Sequence, residues 1–322
     1  MCSQDFSVMH SWMAQELSDD DYSMSELVKF DDCNNTPMNL HAECKLDKPE
    51  FSLIRNYLLI CSSGQLVQMS FEGFEESVRV FVDTFHMDKK GRIQLGYGIE
   101  WAISIGTMYF SNVIVCFRRA VDAMEKELKI IFGEKTPQFQ EWKKLTAYMF
   151  DTVPIYAVAY ELRDVIEHEL FTINLTSPDL TAGTGYFVLN YEHELLSRDI
   201  KAPVRKMIEE FSDVRHSTGN LARRNVSAFT ETLSVCTASL CDYCLSIIAP
   251  KATSASRIIT NQVGNLDGGD YALVVSGKKK RGFSDKAFFY LYPHAEIEML
   301  RDQASERATS RLSYFQEQMR RV

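Results

Sequence analysis

Apolar positions recur at helical spacing through most of the middle of this chain. From Ile99 to Phe132 they run almost unbroken. The second half of that stretch carries Val113, Phe117, Val121, Met124 and Leu128 on one stripe, with Arg118, Asp122, Glu125 and Lys129 off it. This predicts a long helix over 99–132 that stops at Gly133. Val78, Phe81, Val82 and Phe85 predict a helix over Phe74–Met87, closed by Lys89-Lys90-Gly91. Another helix is expected from Pro137 to about Phe150. Asp151-Thr152-Val153-Pro154 then reads as a cap and a first-turn proline opening a helix to about Leu170, and a kinked continuation through Pro154 is equally compatible. Further helices are expected near Asn190–Arg198 and from Pro203 to about Val214. Beyond Gly219, the spacing of Leu221, Phe229, Leu233, Cys236, Leu240, Cys244 and Ile247 marks a long helix ending at Ala249, before Pro250.

The flanks are less regular. Phe51–Phe71 is apolar but broken at Ser62-Ser63-Gly64, which predicts two short elements around a turn. Thr176–Asp179 and Ala182–Gly185 read as loop. Tyr271–Val275 and Ala287–Tyr292 read as two short strands, and a charged helix is expected over Ala295–Arg321. Residues 1–48 show acidic runs and little periodicity, so a poorly ordered lead is expected there. The predicted architecture is mainly α. It has an acidic lead (1–48), a helical bundle (49–250) and a small α+β tail of hairpin and helix (251–322).

Charge sharpens this division. Residues 1–50 hold 11 acidic and 3 basic side chains, whereas the whole chain carries a net charge of −9. The acidity therefore belongs to the lead, and the remainder is close to neutral, so the overall charge does not exclude a nucleic-acid partner. The eight cysteines follow no export signal and are expected as reduced thiols in a soluble, cytoplasmic protein. Trp101–Phe117 has no charge over 17 residues, but it is short and interrupted by Ser104, Gly106, Thr107, Ser111 and Asn112. A spanning helix needs about 20 apolar residues, so a core helix is expected and a membrane span is not.

Candidate chemistry concentrates in Glu161-Leu162-Arg163-Asp164-Val165-Ile166-Glu167-His168-Glu169. Arginine keeps its charge and offers a planar fork that suits a phosphate, and histidine exchanges protons near neutral pH. Together these are the groups needed to cleave RNA without a metal: a base for the ribose 2′-hydroxyl, an acid for the leaving 5′-oxygen, and a cation for the phosphorane. Residues five apart on a helix differ by about 140° and about 7.5 Å, so one copy does not form a compact site. The surface alternative pairs Asp164 with His168 and Arg163 with Glu167 at helical spacing.

Arg163 to His168 resembles the Arg-polar-x3-His signature of the HEPN superfamily, and the resemblance covers roughly residues 75–250 of this chain. The resemblance implies a HEPN-type helical bundle and a homodimeric, metal-independent endoribonuclease acting as a toxin or antiviral-defence effector. It implies catalytic roles for Arg163 and His168, with Asp164 as the polar residue, and an RNA substrate, no cofactor, and an antitoxin or regulatory partner. Relatives modified by a nucleotidyltransferase antitoxin carry tyrosine two residues after the histidine. Here that position is Leu170, which speaks against such a partner. Arg79 and His86 have similar spacing, but Val80 follows the arginine and the polar position is lost.

Other groups carry weaker signals. Cys236, Cys241 and Cys244 resemble half a zinc site, but no second pair follows, and a closed site needs four ligands; no metal is expected. Lys201, Arg205, Lys206, Arg215, Arg223 and Arg224 form a basic excess, and Lys278, Lys279, Lys280 and Arg281 a tighter cluster. Both suit an RNA backbone, and both suit a solvated surface. Gly183-Thr184-Gly185 lacks the lysine and hydroxyl of a phosphate loop. A non-catalytic helical interaction or scaffold protein is the rival reading.

Overall fold

The computed structural model describes residues 8–9, 25–30, 40–96, 98–168, 171–176, 183–189, 200–202, 204–206, 225–263, 270–276 and 286–291. It is mainly helical. Five long helices dominate: α1 (Lys48–Thr84), α2 (Ile99–Phe132), α3 (Pro137–Thr152), α4 (Pro154–His168) and α5 (Val226–Val263). The strands are β1 (Val8–Met9), β2 (Ser25–Phe30), β3 (Leu40–Lys45), β4 (Arg92–Gln94), β5 (Asn174–Thr176), β6 (Thr184–Val188), β7 (Asp270–Ser276) and β8 (Lys286–Leu291).

Helix boundaries follow local chemistry. Asp47 and Glu50 cap α1 reciprocally: the Glu50 amide donates to Asp47 at 2.8 Å and the Asp47 amide to Glu50 at 2.9 Å. Thr136 caps α3, with Pro137 in its first turn. The Asn225 side chain accepts from the Ser227 amide at 2.9 Å and opens α5. Gly133, at φ 83°, ends α2 in a conformation that only glycine adopts without strain.

One compact unit contains the sheet β1-β8-β7-β2-β3 with residues 48–67, 127–131 and 242–263 of the long helices. β1 lies parallel to β8, and the other pairs are antiparallel, with Leu27 opposite Leu273. The helical stretches of this unit enclose polar groups. Ser63 donates to Glu127 at 2.7 Å with both residues buried, and Lys251 Nζ donates to the Ile131 carbonyl at 2.6 Å. That carbonyl lies in the last turn of α2, where a lysine satisfies an orphan acceptor and meets the negative end of the helix dipole.

The second unit holds residues 68–84 of α1, 99–126 of α2, α3, α4, the start of α5 and the antiparallel sheet β4-β6-β5. Its core is aromatic. Phe110 is fully buried among Phe81, Phe171 and Phe229, and Phe117 lies between Phe74 and Tyr156. Gly106 lets the Phe187 ring against α2, since a Cβ there would sit 2.7 Å from two of its ring carbons.

Several expectations change. No turn interrupts α1 at Ser62-Ser63-Gly64. The serine hydroxyls find partners, Ser62 on the Leu59 carbonyl and Ser63 on Glu127, so these polar residues sit inside a helix. α5 runs through Pro250 to Val263, because losing one backbone bond is outweighed by packing of Ala249 before it and of Ala252 and Ala255 beyond it. The lead expected to be poorly ordered contributes β1, β2 and β3; β1 and β2 pair with β8 and β7 from the other end of the chain, and β3 pairs with β2. The helices expected near 190–198 and 295–321 lie outside the described residues. So does most of the one beginning at Pro203, of which 204–206 are helical.

α2 and the stretch Val226–Ile258 are each long and apolar enough to cross a membrane by length and composition. In α2 one side is buried through Ala102, Phe110, Val113, Ile114 and Phe117, while Ile99, Trp101 and Met108 are exposed.

Candidate functional site

α4 begins at Pro154, after Val153 has donated its amide to Met149 and closed α3 in extended conformation. Tyr156, Ala157, Val158, Ala159, Leu162 and Val165 anchor it in the core. That spacing leaves Arg163, Asp164, Glu167 and His168 toward the solvent side of its last turns.

The Arg163 guanidinium is held on two sides. Nη1 donates to Asp164 Oδ1 at 3.0 Å, and Nη2 meets Glu167 Oε2 at 2.8 Å. The hydrogen bond to Asp164 first, then the charges of Glu167, Asp164 and Asp122, push its proton affinity up. Arg163 is therefore a fixed cation. His168 is exposed in the last turn and, among the described residues, makes no hydrogen bond or ion pair with them. The Arg163–Glu167 half of the expected surface pairing is present. Asp164 instead turns to Arg163, and one copy does not bring guanidinium and imidazole together.

A second group of charges adjoins this one. Arg118 of α2 pairs with Asp122 at 2.9 Å and stacks over the Tyr160 ring at 3.8 Å. Burial pushes the Asp122 carboxyl up, with Arg118 and then Arg163 pulling against it. Lys201 Nζ lies 4.9 Å from the Tyr160 ring, 4.7 Å from Phe150 and 3.3 Å from the nearly buried Glu161 carboxylate. The Glu161 contact is an ion pair outside hydrogen-bond geometry. Tyr160 is thus in contact with two cations, a non-local arrangement that helical spacing alone does not reveal. Lys201→Ala removes both aromatic contacts and leaves Glu161 without its counter-charge. A loss of about 1–2 kcal/mol is expected in urea unfolding, and a loss below about 0.3 kcal/mol would show that this cluster contributes nothing to stability.

Of the basic candidates, Arg205 lies one turn beyond Lys201, its amide on the Lys201 carbonyl at 3.0 Å, and Lys206 follows it. Arg223, Arg224, Lys278, Lys279, Lys280 and Arg281 lie outside the described residues, as do Arg215, His193 and His216. Cys236, Cys241 and Cys244 are buried in α5, and among the described residues no three His, Cys, Asp or Glu side chains converge as metal ligands. Compared with protein-family models, curated proteins and solved structures, the chain has no match.

Proposed function

We propose that the last turns of α4 are one half of an RNA-cleaving site that a second copy of the chain completes. The reading rests on Arg163-Asp164-Val165-Ile166-Glu167-His168, whose spacing resembles the HEPN signature. It is supported above all by the exposure of the His168 imidazole at the helix end, where a substrate and a symmetry mate can reach it. His168 takes the proton of a ribose 2′-hydroxyl, and the 2′-oxygen attacks the adjacent phosphorus. The bond from phosphorus to the 5′-oxygen breaks, and the second copy's imidazolium protonates that oxygen. Arg163 holds the scissile phosphate and stabilises the charge of the phosphorane. The products are a 2′,3′-cyclic phosphate and a free 5′-hydroxyl, and the reaction calls for no cofactor. The biological setting that fits is a toxin or defence effector, restrained until needed by a regulatory partner.

The test uses the purified full chain, total RNA and EDTA. Wild type is expected to cleave, and His168→Ala to cleave about 100-fold more slowly. Equal rates for the two, or no cleavage by wild type, would remove the proposal.

One observation favours the rival reading of a helical interaction or scaffold protein: Arg163 already has two carboxylate partners within its own helix. On that reading His168→Ala changes neither RNA nor phenotype, whereas deleting residues 1–48 or 251–322 abolishes partner binding.

A further inference from the structure

We propose that Glu167 is a latch on Arg163, a positioning residue that an RNA phosphate must displace before the guanidinium can hold it. The substrate class rests on the nuclease reading above; the ion pair itself does not.

A guanidinium grips a phosphate through two parallel N–H donors, and its five donors share one rigid plane. In this chain Nη1 is on Asp164 and Nη2 on Glu167. The two carboxylates are not equivalent. The Asp164 side chain is 66% exposed and Glu167 only 33%, so water screens the Glu167 pair less. Asp122 adds a third negative charge that acts on Arg163. An incoming phosphodiester thus meets one cation behind several anions with two of its five donors engaged, and a departing carboxylate frees a donor and lowers the opposing negative charge. Glu167 lies one helical turn from Arg163, so a rotamer change at either residue separates them without unwinding α4. Partly exposed ion pairs at this spacing are weak, which makes the latch displaceable rather than permanent.

The measurement is the affinity of the full-length protein for a short fluorescent single-stranded oligonucleotide that is 2′-O-methylated throughout. With no free 2′-hydroxyl the probe binds but cannot be cut, so the readout is independent of catalysis. Anisotropy in EDTA is expected to show Glu167→Gln binding about fivefold more tightly than wild type, equivalent to about 1 kcal/mol. Glu167→Ala, which removes the carboxylate with a different side chain, must shift in the same direction. Arg163→Ala must weaken binding, and in the Arg163→Ala background Glu167→Gln must no longer tighten it. That non-additivity distinguishes a latch acting through Arg163 from a general loss of negative charge. Equal affinity of wild type and Glu167→Gln overturns the proposal, as does tightening of the same size with and without Arg163. If the coupling appears while wild type leaves ordinary RNA intact, the latch stands as part of an anion-binding surface and the nuclease reading alone falls.

Discussion

Phe110→Ala is expected to lower the stability of the aromatic unit by about 3–5 kcal/mol, the range for truncating a large ring in a core that cannot collapse around the gap. Phe110 is fully buried, with ring centroids of Phe81, Phe171 and Phe229 at 6.2, 6.0 and 5.8 Å. These partners come from α1, from the segment before β5, and from α5, so the ring ties together three parts of the chain distant in sequence. Removing it leaves space that these partners can fill only by shifting the elements that carry them. Met108, two residues earlier on the same helix, is 54% exposed, and Met108→Ala is expected to change stability by less than about 0.5 kcal/mol. Urea unfolding followed by tryptophan fluorescence compares the two variants. A Phe110→Ala loss below about 1 kcal/mol, or one no larger than that of Met108→Ala, would mean that this aromatic cluster is not the centre of the unit.

Phe110 also shows why some of the architecture could be read in advance. Helix α2 carries its own limits: an apolar run, a stripe through Val113, Phe117, Val121, Met124 and Leu128 that the structure buries, and a glycine immediately after it. The start of α4 was legible only in part: Pro154 suits a first turn and equally a kinked continuation, and the extended Val153 decides for a new helix. The errors occur where a long-range partner reverses a local signal. Ser62-Ser63-Gly64 has the composition of a turn, yet Ser63 is satisfied by a glutamate of α2 distant in sequence. Pro250 has the appearance of a helix end, yet packing on either side carries α5 past it. The pairing of Leu27 with Leu273 joins the two ends of the chain, which no local window can register.

The candidate site divides in the same way. The Arg163–Glu167 contact follows from helical spacing and was legible as the surface alternative to catalysis. The choice of Asp164 between Arg163 and His168 was not, because adjacent residues face one another only when a long side chain bends back. The Arg118–Tyr160–Lys201 arrangement depends on α2, α4 and the segment at 201 meeting in space, and spacing within any one of them is silent about it. In the sequence Arg118 stands out only as lying off the apolar stripe. Although Arg118 is only partly exposed beside the fully buried Phe117, its guanidinium keeps favourable partners in Asp122 and the Tyr160 ring.

Alkaline pH is expected to destabilise the fold well before most lysines lose their charge, through thiols and a phenol that the core holds protonated. Cys236 is fully buried in α5, and burial pushes its thiol from an ordinary 9.0 up to about 12. In the unfolded chain the thiol ionises freely, so above pH 9 the unfolded state binds fewer protons than the folded one, and stability falls as pH rises. The contribution is fully present below pH 9 and lost by about pH 12, at up to about 1.4 kcal/mol per pH unit. Over the whole window this amounts to about 4 kcal/mol, and by pH 10.5 to about 2 kcal/mol. Cys61 is likewise pushed up to about 12, chiefly by burial, with a hydrogen bond from Tyr57 pulling against it. The Tyr156 phenol is also pushed up, chiefly by burial and then by Tyr160. Other groups titrate in this range, so the informative quantity is the difference between wild type and Cys236→Ala in urea midpoints at pH 8 and pH 10.5. The variant loses some stability at both values through the missing sulfur, but it should lose about 2 kcal/mol less than wild type between them. Identical pH dependence in the two proteins would mean that water reaches the sulfur in the native state and that Cys236 is not sealed in the core.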